Sequence, residues 1–174
     1  MARLPYADTD NEATRPLAQR IVAERGSILH LYQMLLHSPP VAQGWLGYLT
    51  AIRQQSTLSG AIREMVIIRV AQINRAPYEA DQHIPIARKE GVSAEKLDAL
   101  QNWADSTLFD AAERAVLAYT DAMTRNVQVD DAVFASVAQV YAPQQLVELT
   151  ATIAAYNMVS RFLEALQIHS TDQR

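Results

Sequence analysis

An all-α domain is predicted by three features of this 174-residue chain. Long segments carry apolar residues at helical spacing, set among Ala, Leu, Gln, Glu and Arg, which are good helix formers. No run alternates with period two for long, and no Asn-Gly or Asp-Gly hairpin turn occurs. Only five glycines are present, and 49% of residues are hydrophobic against 20% charged, enough apolar material for one sizeable core.

The elements follow in order. Residues 1–10, with Pro5 and alternating acids, read as a loose arm. A first helix spans Asn11 to Arg25 and stops at Gly26. Ser27 caps a second, Ile28 to His37, which ends before Pro39-Pro40 because proline disfavours a helical residue ahead of it. A third starts at the prolines and reaches Gln55; its Gly44 and Gly47 either admit another helix closely or weaken it. Ser59 caps a fourth, Gly60 to Ile73, apolar nearly all round and so buried. Asn74 tolerates the left-handed state that ends it. Pro77 suits the first turn of a fifth helix, which Gly91 ends, and Pro85 inside it predicts a kink around His83. Ser93 opens a short helix to Trp103. Asp110-Ala-Ala-Glu113 resembles a capping box and starts Ala111 to Thr124. Asp130 or Asp131 opens Ala132 to Val140, and Pro143 opens the longest helix, to Ile168. The expected organisation is an arm (1–10), one domain (11–169) and a flexible tail (170–174), without linker or repeat.

Net charge is −4 with no basic stripe, which argues against nucleic-acid binding. No apolar run reaches a membrane span, and the N-terminal residues lack an apolar signal core, so a cytoplasmic location is expected. Cysteine is absent, which removes disulfides, thiol nucleophiles and Fe–S clusters. The four histidines show no paired metal-ligand spacing, and no glycine-rich phosphate loop is visible, so no metal and no cofactor are expected.

One stretch stands apart, from Glu64 to His83. Glu79 and His83 are four apart and share a face of the fifth helix. Glu64 lies eleven residues before Arg75 and His83 eight after it, so at ~1.5 Å rise per residue their depths below the turn differ by about one helical turn. A carboxylate and an imidazole are thus expected to face each other across a helical hairpin.

The run Leu58-Ser59, Arg63-Glu64, Arg69-Val70-Ala71-Gln72-Ile73-Asn74, Tyr78-Glu79, His83, Ala87-Arg88 and Gly91-Val92 resembles the carboxymuconolactone decarboxylase family, also called AhpD-like. The segment from Ala155 to Leu163 is similar to the last helix of its longer members. The resemblance implies an AhpD-like multi-helix fold with a central antiparallel hairpin. It also implies a homo-oligomer, whether dimer, trimer or hexamer. In the antioxidant branch a Cys-x-x-Cys pair opens the fifth helix, with a Glu and a His as proton relay. Ala76 and Glu79 stand at the cysteine positions here, Glu64 and His83 match the relay, and Tyr78 lies between.

The function these residues suit is a cofactor-free lyase working by acid–base chemistry on a small carboxylated lactone or ring. His83 is the expected proton donor, Glu64 its partner, Tyr78 an oxyanion donor and Glu79 a further acid–base candidate. Arg63, Arg69 or Arg75 would anchor the substrate carboxylate, with Arg88 a further candidate. The alternatives are a non-catalytic oligomeric binding protein of the same fold, and an AhpD-like antioxidant protein that has lost its thiols. Each residue also has a plainer reading. Glu64 would pair with Arg69 or an arginine of a neighbouring helix, Glu79 would face its helix dipole, and Tyr78 and Tyr156 would pack. Arg63 and Arg88 would be solvated, His30, His37 and His169 would sit at the surface or at helix ends, and Asn157 and Arg161 would bond across subunits.

Overall fold

The computed structural model describes residues 1–172 and contains nine α-helices and no strand among them. Positions 173 and 174 of the expected tail lie outside the described residues. The chain divides into two compact units, one of residues 1–55 with 163 onward, the other of residues 56–162.

In the first unit, α1 (Arg15–Arg25) begins four residues later than expected. Asn11 forms a turn instead, its Oδ1 accepting from the backbone N–H groups of Ala13 and Thr14. Gly26, at φ 82°, supplies the left-handed residue that ends α1. α2 is short (His30–Leu35) and is preceded by extended Leu29 rather than capped by Ser27. α3 (Pro39–Thr50) starts on its prolines and runs into a π-helical turn, Ala51–Gln55. Among the described residues nothing packs against Gly44 or Gly47, so neither serves for close approach of another helix of this chain. The N-terminal segment is tied down: Arg3 N–H bonds the Leu166 carbonyl, and Tyr6 Oη donates to Asp172 at 2.6 Å. His37 Nε2 lies 2.7 Å from the Pro5 carbonyl. His30 lies at a helix end, as the first residue of α2, and is buried there.

The second unit is built on α4 (Gly60–Asn74) and α5 (Pro77–Lys89). The Ser59 hydroxyl caps α4 by accepting from Ile62 N–H. Every residue from Arg63 to Ala71 is buried, because apolar side chains surround the helix and each fully buried one contributes roughly 1.5–3 kcal/mol. Arg75, at φ 55°, and not the expected Asn74, takes the left-handed state that ends α4. Asn74 instead donates to Asn157 Oδ1 at 3.0 Å. α5 continues through Pro85 to Lys89, and Gly91, at φ 92°, turns the chain away.

α6 (Ala94–Ala99) passes into a 3-10 turn, Leu100–Asp105. α7 (Ala111–Asn126) opens on a complete capping box between Asp110 and Glu113. α8 (Asp131–Ala138) and α9 (Pro143–Leu166) complete the order, with α9 residues from 163 onward counted in the first unit. Met65, Ile68, Ala87, Val92, Leu97, Leu100, Phe109 and Leu117 form one continuous core across α4, α5, α6, the 3-10 turn and α7. Glu148 on α9 ties the segment before α4 in place, its Oε2 accepting from Thr57 N–H, Thr57 Oγ1 and Leu58 N–H at 2.8–3.1 Å.

Candidate functional site

The left-handed turn at Arg75 folds α5 back along α4, and this brings two ionisable groups together in the interior. His83 Nδ1 lies 2.6 Å from Glu64 Oε2. Glu64 is fully buried and His83 is 6% exposed. Burial pushes the Glu64 carboxyl up, but the hydrogen bonds and charges of His83, and then of Arg63, outweigh it and hold the group below the usual carboxylate range. Glu64 is therefore ionised at neutral pH and can only accept. His83 Nδ1 must then carry the proton, which leaves Nε2 as the atom that takes up or releases one.

Arg63 supports the pair from the other side. Its Nε donates to Glu64 Oε1 at 3.1 Å, and its Nη2 lies 3.6 Å from Glu90 Oε1. Arg63 is 9% exposed and not solvated as expected, because its guanidinium is drawn inward by Glu64. The result is a line of charges: exposed Glu90, then Arg63, Glu64 and His83.

Glu79, one turn before His83, is also buried and accepts a hydrogen bond from the Ser160 hydroxyl of α9. Tyr156, one turn before Ser160, sets its ring edge-on to the His83 ring, with centroids 5.1 Å apart at 89°. Two residues of α5 thus meet two of α9 at matching spacing. Tyr78 is buried beside them in sequence. Ser160 and Glu90 were missed by sequence reading. A serine among the apolar positions of α9, four residues after a tyrosine, was the available signal for Ser160; nothing local marked Glu90.

The other arginine candidates lie elsewhere. Arg69 is buried and bonds Asp121 through Nε and Nη2, both at 2.6 Å, and donates to the Leu100 and Gln101 carbonyls. It holds α4 to α7 and the 3-10 turn, and it is not the partner of Glu64. Arg75 is exposed at the hairpin turn. Asn157 and Arg161 bond within the chain: Arg161 donates to Asn157 Oδ1 at 2.6 Å, and Asn157 Nδ2 to Thr124 Oγ1 at 3.0 Å. Among the described residues no three acidic or histidine side chains are grouped to hold a metal ion, and no helix is long and apolar enough to cross a membrane.

Residues 39–122 match the model of the carboxymuconolactone decarboxylase family. The chain is 35% identical over 127 residues to YnjA, an uncharacterised protein of Escherichia coli (strain K12); the match covers 72% of this chain and 66% of YnjA, just under two thirds of that protein. In solved structures its fold is shared by an AhpD-core, peroxidase-related protein of Ralstonia eutropha JMP134, at a TM-score of 0.83 and 17% identity, over 98% of this chain and 93% of that one. The debrominase Bmp8, in complex with 2,3,4-tribromopyrrole, matches at a TM-score of 0.81 and 19% identity, over 96% and 92%. At these identities the two structures speak for fold alone. The family match, the helical order and the hairpin agree: residues 39–122 match the carboxymuconolactone decarboxylase family, within an AhpD-like fold and without cysteine.

Proposed function

We propose that this protein is a cofactor-free lyase that removes carboxylate from a small lactone or ring by acid–base chemistry at His83. The observation that carries this reading is the 2.6 Å contact between Glu64 and His83 inside an apolar hairpin. Cleavage of the carbon–carboxylate bond expels CO2 and leaves its electron pair on the ring carbon, delocalised into the neighbouring carbonyl as an enolate. The enolate is quenched by a proton from Nε2 of protonated His83, and solvent returns that proton. Glu64 keeps Nδ1–H oriented and balances the imidazolium, and the Tyr156 edge limits how far the ring can turn. Tyr78 is assigned to the oxyanion and Arg63 to the substrate carboxylate. Glu79 serves as the second acid–base group, held by Ser160.

Incubation with carboxymuconolactone, a panel of related carboxylated lactones and 2,3,4-tribromopyrrole tests the reading. Release of CO2 from at least one lactone is expected. Absence of CO2 release from every lactone would contradict it. The complete burial of Glu64 favours a second reading, a binding protein of the same fold in which Glu64–His83 is a structural pair; ligand binding without turnover in the same panel is its signature. The antioxidant reading lacks a thiol to carry electrons.

Self-association belongs to the same proposal. Phe134 of α8 and Val147 of α9 are 45% and 69% exposed, and with Leu146, Thr150, Ala151 and Ala154 they line a groove of about 350 Å³. A second copy of this chain would cover that face, as the family's assembly implies.

A further inference from the structure

Arg63 offers its guanidinium in two directions. The Nε edge makes a 3.1 Å hydrogen bond to buried Glu64, whereas Nη2 meets Glu90 at 3.6 Å, an ion pair too long to be a hydrogen bond. The Glu90 side chain is 41% exposed. Arg63 is buried but Glu90 reaches solvent and no hydrogen bond joins them, so the inner contact is firm and the outer one is the weaker and more readily exchanged. The Glu90 carboxylate also lies directly over Gly60, at the start of α4; a methyl group built on Gly60 would overlap it. The absence of a side chain at position 60 is what lets a carboxylate rest there.

We propose that Glu90 is an internal stand-in for a ligand carboxylate, occupying an anion slot formed by the outer edge of Arg63 and the surface over Gly60, and that a small monocarboxylate binds there by displacing it. The inference rests on the reading above in assigning the ligand class, since it makes Arg63 the carboxylate-receiving arginine. It adds the slot, its resident occupant and the exchange. A planar carboxylate suits the vacated edge because guanidinium binds it through two parallel N–H bonds, where a spherical anion makes one contact. The exchange swaps one carboxylate for another on the same guanidinium that holds Glu64, so a change in its position is passed on to His83.

Benzoate is the probe, its binding followed by NMR shifts of the Arg63 side chain and the His83 ring in the full chain. A tethered carboxylate competes at an effective concentration on the order of millimolar. Glu90→Gln, which removes the competing charge, should therefore bind benzoate about fivefold more tightly than the wild type. Gly60→Ala should do the same with every charge retained, by pushing the Glu90 side chain aside; alanine favours the helix there, so folding is kept. Addition of Arg63→Gln to either variant should abolish the gain. The proposal is overturned if neither variant tightens binding, if the gain survives loss of Arg63, or if chloride competes as well as benzoate does. Binding is read without turnover, so a chain that never releases CO2 still passes or fails this test independently.

Discussion

Glu64 is where charge and stability meet at the scale of single residues. Its folded-state pKa is depressed, so between that value and its unfolded value the unfolded chain binds more protons. The stabilisation is present above the ordinary carboxylate pKa and is lost as pH falls through the depressed one. Glu64→Gln keeps shape and removes charge. It is expected to cost about 1–3 kcal/mol at neutral pH, with the difference from wild type narrowing in acid. Urea unfolding of both proteins across pH checks this, and a difference independent of pH would show that the charge contributes nothing. The Glu64–His83 contact was legible in the sequence because it needs only helix rise, the position of the turn and two residue types. The partner of Glu64 was not. Arg63 and Arg69 are six residues apart on one helix, and which of them meets Glu64 depends on Asp121 of α7, whose two 2.6 Å bonds claim Arg69. That choice is made by tertiary packing.

Elements were read best where their signals are local. Ser59, Pro77 and the Asp110–Glu113 box each act within one turn, and α4, α5 and α7 start where those residues indicate. α1 starts late because the Asn11 side chain satisfies two backbone donors in a turn, which competes with the helix on equal terms. The left-handed residue fell on Arg75 because the Asn74 side chain is taken by Asn157 on α9, a contact 83 residues away in sequence. At this scale the capping box is the testable device. Asp110→Ala should cost about 1 kcal/mol, with Asp110→Asn losing less because an acceptor remains. Thermal unfolding of the two variants measures it, and equal losses would show that charge rather than the hydrogen bond carries the cap.

For the whole molecule the family places the fold, and the chemistry rests on the proposal. The exposed apolar face of α8 and α9 predicts an oligomer; sedimentation at micromolar concentration should show it, and Val147→Glu should shift it towards monomer. A wild-type monomer under those conditions would remove that face as an interface. The proposed catalysis depends on His83 exchanging a proton with the substrate. The most direct measurement is kcat/KM for carboxymuconolactone decarboxylation by wild type and by His83→Gln, with helicity and sedimentation matched. A loss of about 100-fold or more is predicted, and a variant that keeps its fold and most of its activity would contradict it.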